Sequence, residues 1–325
     1  MKEIFFKDLN FPKSVINLNV KEDQHSSQTA SIMCKYDDYI IDNIPDLVIV
    51  FGDVDSTLAC SLVASKMNIP IAHVESGLRS FDRSMPEEIN RVLTDQMSEL
   101  LFTTSPEAKN NLLKEGKTEN QIFYVGNTMI DSLVSLNDKF DKSKIINKLN
   151  INGEFALITF HRPSNVDDPK NITLLVQSII ELSENIICIF PVHPRTKKSM
   201  DILNLTEKIN DKKNIIITEP LGYIDFMKLQ KDSFVVITDS GGIQEESTYF
   251  GVPCLTVRDS TERPITVLHG TNKIIGTTYS NIINEVRKLS IENLSEKRKI
   301  PDLWDGKASS RISKIVNQYI NHLRN

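Results

Sequence analysis

No apolar run in this 325-residue chain approaches the ~20 residues that a membrane-spanning helix needs. The opening, Met1-Lys2-Glu3-Ile4-Phe5-Phe6, has no apolar core of a secretory leader, so a cytoplasmic location is the expectation. Cysteine is scarce. Cys34, Cys60, Cys188 and Cys254 are scattered, without a Cys-x-x-Cys pair or a Cys/His ligand spacing. They are expected in the core, and no metal site is expected. No block of lysine and arginine occurs and the net charge is −5, which argues against a nucleic-acid partner. Gly-x-Ser-x-Gly, the P-loop pattern, His-Glu-x-x-His and Gly-x-Gly-x-x-Gly are all absent. Serine-hydrolase, P-loop, zincin and dinucleotide readings therefore lose their main support.

What remains is an ordinary globular composition, 40% apolar and 25% charged, in a chain long enough for two domains. Apolar runs alternate with helical stretches. Strands are expected at Asp46–Phe51, Ile71–Glu75, Leu101–Thr104 and Ile122–Gly126, with helices at Ser56–Met67 and Pro86–Leu100 between them. Asp138 to Asn152 is polar and lysine-rich and reads as a linker. The pattern then repeats, with strands at Phe155–Phe160, Ile186–Val192, Asn214–Thr218, Phe234–Thr238 and Pro253–Thr256. Alternation of this kind means parallel βαβ units, so the fold class is α/β with two similar halves. The expected domains are 1–145 and 146–306, with a last helix, 307–325, packing back towards the first.

One segment is the most informative: Thr238-Asp239-Ser240-Gly241-Gly242-Ile243-Gln244-Glu245-Glu246. It joins a buried strand to a short helix that ends at Gly251. The first-turn N–H groups of a helix have no intrahelical partners, and its dipole favours an anion there. Glycines let a phosphate approach the backbone, and a carboxylate a few residues on can accept hydrogen bonds from sugar hydroxyls. A phosphate bearing a ribose fits this pattern; so does a capped core helix in any α/β protein.

The other candidates also sit at strand ends. Asp53 follows the first strand, Glu75 ends the second and Glu87 opens the next helix. Each alone could be a cap or turn residue. Three carboxylates at one cleft mouth would push their pKa values apart, letting one act as acid and another as base. His161-Arg162-Pro163 and Pro191-Val192-His193-Pro194-Arg195 follow later strands, His193 serving its turn. Arg258 to Pro264 is charged at every second or third position, and an arginine there can pair with phosphate or ribose.

Taken in order, these residues resemble the non-hydrolysing UDP-N-acetylglucosamine 2-epimerases. The matching stretches are Gly52-Asp53-Val54-Asp55-Ser56-Thr57, His73 to Ser80, Met85 to Arg91, Phe160-His161-Arg162-Pro163, Pro191 to Arg195, Asp239 to Glu246, Thr261-Glu262-Arg263-Pro264 and Gly270-Thr271-Asn272. The resemblance implies two Rossmann-like domains of the GT-B type with a UDP-sugar in the cleft between them, a homodimer, and no cofactor. It implies elimination of UDP from C1 and C2 and its re-addition with C2 inverted, in surface-polysaccharide synthesis. Asp53, Glu75, Glu87 and His161 would be the catalytic set, with His161 on the diphosphate. Arg91 and Arg263 would contact substrate, Ser240, Gly241 and Gly242 would cradle the diphosphate, Glu246 would take the ribose, and Leu221 and Phe226 would lie against the uracil.

Two departures carry expectations of their own. The family opens with a strand, a Gly-x-Arg-Pro-Glu loop and a lysine-bearing helix, whereas Met1 to Val20 here resembles the family's next segment. A first sheet truncated at its N-terminus and weak or absent turnover are the corresponding expectations. Pro264-Ile265-Thr266 stands where many members carry Pro-Glu, which keeps a diacetamido uronic acid substrate open. A GT-B glycosyltransferase, a hydrolysing 2-epimerase and a UDP-binding homologue without activity are the competing readings.

Overall fold

The structure, a computed structural model, describes residues 16–22, 24–289 and 299–324, the side chain of Ser280 excepted. Most of Met1 to Val20 lies outside the described residues. The chain divides into two compact units, one of residues up to Asp131 together with 302–324, the other of residues from Ser132 to Pro301.

The first unit holds a parallel sheet in the order β1-β2-β3-β4, with β1 Val48–Phe51, β2 Ile71–Ser76, β3 Leu100–Thr103 and β4 Ile122–Tyr124. Side chains alternate across it. Val48, Val50 and Ile71 pack on one face with Ile40, Val63 and Ala64, and Ala72, Val74 and Phe102 on the other with Ile312 and Val316. The last two come from the helix Ala308–Leu323. Among the described residues β1 is an edge, and its Ile49 and Phe51 are 40% and 59% exposed.

The second unit holds six parallel strands in the order β10-β9-β8-β5-β6-β7. These are β5 Phe155–Thr159, β6 Ile187–Pro191, β7 Ile215–Thr218, β8 Val235–Thr238, β9 Cys254–Thr256 and β10 Asn272–Ile274. Phe155 and Leu157 belong to one core, Ala156 and Ile158 to the other. Both faces are therefore covered, which is why β8 reads as the unbroken apolar run Val-Val-Ile. Every strand of the unit is parallel, so all carboxyl ends share one edge, where α/β folds bind ligands.

Three expectations need correction. Asp138 to Asn152 is not a loose linker: the helix Thr128–Asp141 runs into it and a short helix, Ile145–Lys148, comes next. Leu133, Leu136, Phe140 and Ile145 are buried at helical spacing, while the lysines occupy the outer face. The helix from Pro86 ends at Met97 rather than Leu100, because Ser98 turns extended (ψ 140°) to feed β3. Cys34 is exposed, not a core residue.

Candidate active site

In the second unit the site residues follow the neighbouring strands β8, β5, β6 and β7. Asp239, just past β8, is fully buried and ties two strand ends together. It accepts hydrogen bonds from His161 N (3.2 Å), Arg162 N (3.0 Å) and Asn165 Nδ2 (3.0 Å), and His161 Nδ1 lies 3.1 Å from its Oδ1. Burial would push this carboxyl up, but the contacts with His161, Asn165 and the Arg162 backbone hold it below its ordinary value. With Nδ1 turned to Asp239, the other ring nitrogen of His161 is the one available to a ligand; the side chain is 40% exposed.

Ser240 precedes the helix Gly241–Phe250, whose first turn is Gly241-Gly242. At Gly241 two side-chain ends approach the backbone closely. A Cβ there would lie 2.5 Å from Arg263 Nη1 and 2.5 Å from Glu262 Oε1. Arg263 itself is 9% exposed and pairs through Nε with Glu245 (2.8 Å) and through Nη1 with Glu262 (2.5 Å). The guanidinium and the Glu262 carboxylate thus lie against the helix start together, as an ion pair. Glu246, 4% exposed on the same helix, is pushed up to about 8 by burial and by neighbouring Glu245, so it is a protonated acid near neutrality. Tyr223 hydrogen-bonds it, and burial and Glu246 together push the phenol up.

Beside these groups is a cavity of about 210 Å³, lined by Thr159, His161, Pro191, His193, Pro220, Leu221, Tyr223 and Phe226. Its walls are mostly apolar, and two imidazoles 5.7 Å apart supply polar atoms. His193 caps the helix Pro194–Ile202, its Nδ1 accepting from Arg195 N at 3.2 Å, as the proline-flanked turn suggests. Burial first, then His161 and Arg195, push it below the usual imidazole range. A larger cavity, about 740 Å³, is lined by Asn152, Glu154, Asn185, Asn214 and Arg287 among others. It lies at the amino ends of β5 to β8, the edge opposite the motif residues.

In the first unit Asp53 and Glu75 lie at the carboxyl ends of β1 and β2, and Glu87 lies on the helix that follows β2. Asp53 accepts from Arg91 Nε at 3.1 Å and also from Arg91 Nη2, while its carbonyl accepts from Asn90 Nδ2 at 2.9 Å. Arg91 Nη1 also reaches Glu88 Oε2 (2.5 Å). Glu88 in turn accepts from Ser80 N, Ser80 Oγ and Phe81 N at 2.9–3.0 Å, anchoring the loop after β2. Glu87 lies half-buried on the helix Pro86–Met97, one turn before Arg91. Glu75 is the strained residue of the set. Its φ is +74°, and the β2–β3 register shifts between Val74 and Ser76. A non-glycine residue held there costs ~1–3 kcal/mol, which is tolerated where a side chain must be aimed. The side chain turns to Gly52: Glu75 Oε2 lies 3.6 Å from the place a Cβ on Gly52 would occupy. Glu75 and Asp53 are thereby brought to the same turn. Among the described residues no group of acidic, histidine and cysteine side chains is arranged to hold a metal ion, and no helix is long and apolar enough to cross a membrane.

Sequence reasoning does not single out Asp239, Tyr223, Glu88, His73 or Asp95. Only Asp239 has a local signal, its place between a buried strand and a Ser-Gly-Gly turn. The others act through partners 8 to 23 residues away.

A family model described as UDP-N-acetylglucosamine 2-epimerase matches residues 1–317. The chain is 42% identical over 323 residues to the UDP-N-acetylglucosamine 2-epimerase of Methanocaldococcus jannaschii, covering 97% of this chain and 87% of that one. It is 36% identical over 321 residues to the UDP-2,3-diacetamido-2,3-dideoxy-D-glucuronate 2-epimerase of Pseudomonas aeruginosa, with the same coverage. The crystal structure of the Methanocaldococcus enzyme, in complex with UDP-GlcNAc and UDP, matches with a TM-score of 0.91 over 98% of this chain and 88% of that chain. The Neisseria meningitidis enzyme bound to UDP-GlcNAc matches at 31% identity, TM-score 0.88, over 98% and 89%. With two parallel α/β units carrying these strand-end groups, the chain belongs to the UDP-N-acetylglucosamine 2-epimerase family.

Proposed function

We propose that this chain interconverts UDP-N-acetylglucosamine and UDP-N-acetylmannosamine, without a cofactor, by eliminating UDP and adding it back with C2 inverted. The observation that carries the reading is the β8 turn. Ser240, Gly241 and Gly242 open a helix against the Arg263 guanidinium, beside His161 and an apolar cavity. A diphosphate leaving C1 takes its charge to this helix start and to His161, which stabilises the developing anion. Leu221 and Phe226 lie against the uracil, and Glu246, a neutral acid, exchanges hydrogen bonds with the ribose. Asp53, Glu75 and Glu87 supply the base that removes the C2 proton and the acid that returns one from the opposite face. Arg91 holds Asp53 in place and faces the sugar. A homodimer in the cytoplasm, feeding surface-polysaccharide synthesis, completes the reading.

A second substrate has its own support. Pro264-Ile265, beside Arg263, stands where many members carry Pro-Glu, and a relative named for a diacetamido uronic acid substrate is 36% identical. The test is to incubate the chain with each UDP-sugar and separate the products by anion exchange. UDP-N-acetylmannosamine formed from UDP-N-acetylglucosamine supports the first reading. Turnover of the diacetamido uronate alone supports the second. Stoichiometric release of UDP and free sugar would mark a hydrolysing enzyme and overturn both.

A further inference from the structure

Beneath the Asp53 and Glu75 turn lies a charge network, fully buried at His73 and Asp95, that the proposed mechanism does not use. His73, on β2, is 0% exposed, as is Asp95 on the helix Pro86–Met97. His73 Nδ1 lies 2.6 Å from Asp95 Oδ1, and Nε2 lies 2.8 Å from the Gly52 carbonyl oxygen. A carbonyl oxygen only accepts, so Nε2 carries a hydrogen. Asp95 Oδ2 accepts from Gly77 N (3.1 Å) and from Arg79 Nη2 (2.7 Å), and Arg79 is also gripped by Glu115 (Nε to Oε1, 2.8 Å). Those donors keep Asp95 ionised, so Nδ1 donates too and His73 is an imidazolium. Burial would push the imidazole down, but Asp95 and, more weakly, Gly52 and Glu75 push it above its usual range.

Its position gives this cation a purpose. Gly52 has φ +65°, a left-handed conformation that only glycine adopts without strain, and it places Asp53 immediately after the β1 end. The Glu75 carboxylate lies over the same glycine. Gly52 O is held by His73, and Asp53 O by Asn90. The peptide that carries one candidate acid/base group, and supports the other, is therefore clamped from below.

We infer that His73 is a positioning residue: through Nε2–H it fixes the Gly52 peptide, and so sets the placement of Asp53 and Glu75 at C2. The inference rests on the epimerase reading for those two carboxylates. The groups facing His73 are Asp95, Gly52 and Glu75, with Arg79 and Glu115 behind Asp95.

Two substitutions separate the bonds. His73→Asn keeps a donor near the Nδ1 position for Asp95 but does not reach Gly52; His73→Gln extends an N–H to the Nε2 position. His73→Asn is expected to lower kcat about 100-fold with KM changed less than about threefold, as a misplaced catalytic group does. His73→Gln recovers at least about tenfold of that loss, and UDP affinity is unchanged in both. Equal losses in the two variants, or a loss carried by KM, overturn the inference while wild-type turnover still upholds the epimerase reading. Wild-type protein without turnover overturns that reading instead. If neither variant folds, histidine ¹⁵N NMR of the wild-type chain decides. Protons on both ring nitrogens of His73 at neutral pH are expected, and an unprotonated Nε2 overturns the assignment.

Discussion

At the scale of single residues, burial sets the state of the groups to which the proposal gives roles. Glu246 is the clearest case. Its folded value of about 8 stands above the ordinary 4.5 because it is desolvated beside Glu245. The folded state therefore holds a proton that the unfolded chain has released. The corresponding stability is present in full below pH 4.5, declines as pH rises towards 8 and levels off beyond. Urea unfolding of the wild type at several pH values is expected to show this decline, and Glu246→Gln, which is neutral throughout, is expected to flatten it. Gly241 is a second case. An added methyl meets Arg263 and Glu262 at 2.5 Å, so the guanidinium must shift. Gly241→Ala is expected to cost ~1–3 kcal/mol and to weaken UDP binding by about tenfold or more, read by thermal melting and titration calorimetry.

At the scale of elements, the β5 and β8 ends act as one piece because Asp239 joins them. Asp239→Ala leaves the His161 and Arg162 amides and the Asn165 side chain without their acceptor. A loss of ~3 kcal/mol in unfolding free energy is expected, with Asp239→Asn milder since it keeps one acceptor. The strands themselves are legible in the sequence, because a parallel strand buried on both faces is a continuous apolar run, as Val235-Val236-Ile237 is. The Asp138–Asn152 stretch reads as a linker because its lysines and aspartates outnumber the apolar residues that pack inward, Phe140, Ile145, Ile146, Leu149 and Ile151. The Ser-Gly-Gly turn is legible because strand, glycines and helix are contiguous. The His161–Asp239 and His73–Asp95 pairs are not, since their members lie 78 and 22 residues apart and only the folded sheet makes them neighbours.

For the whole molecule, the proposed reading divides the work between two units: residues from 132 to 301 hold the groups proposed for the nucleotide, and those up to 131 hold the carboxylates proposed for C2. Variants should divide in the same way. Asp53→Asn or Glu75→Gln is expected to lower turnover by about 10²–10⁴-fold while leaving UDP affinity within about threefold. His161→Asn is expected to weaken UDP binding as well as turnover. The most direct test of the central claim is proton NMR of UDP-N-acetylglucosamine incubated with the intact chain in deuterium oxide. Removal and return of the C2 proton predicts that the C2 signal disappears as UDP-N-acetylmannosamine forms, with deuterium at C2 of the product. Product that retains its C2 proton, or substrate left unchanged by protein that binds UDP, would contradict the account.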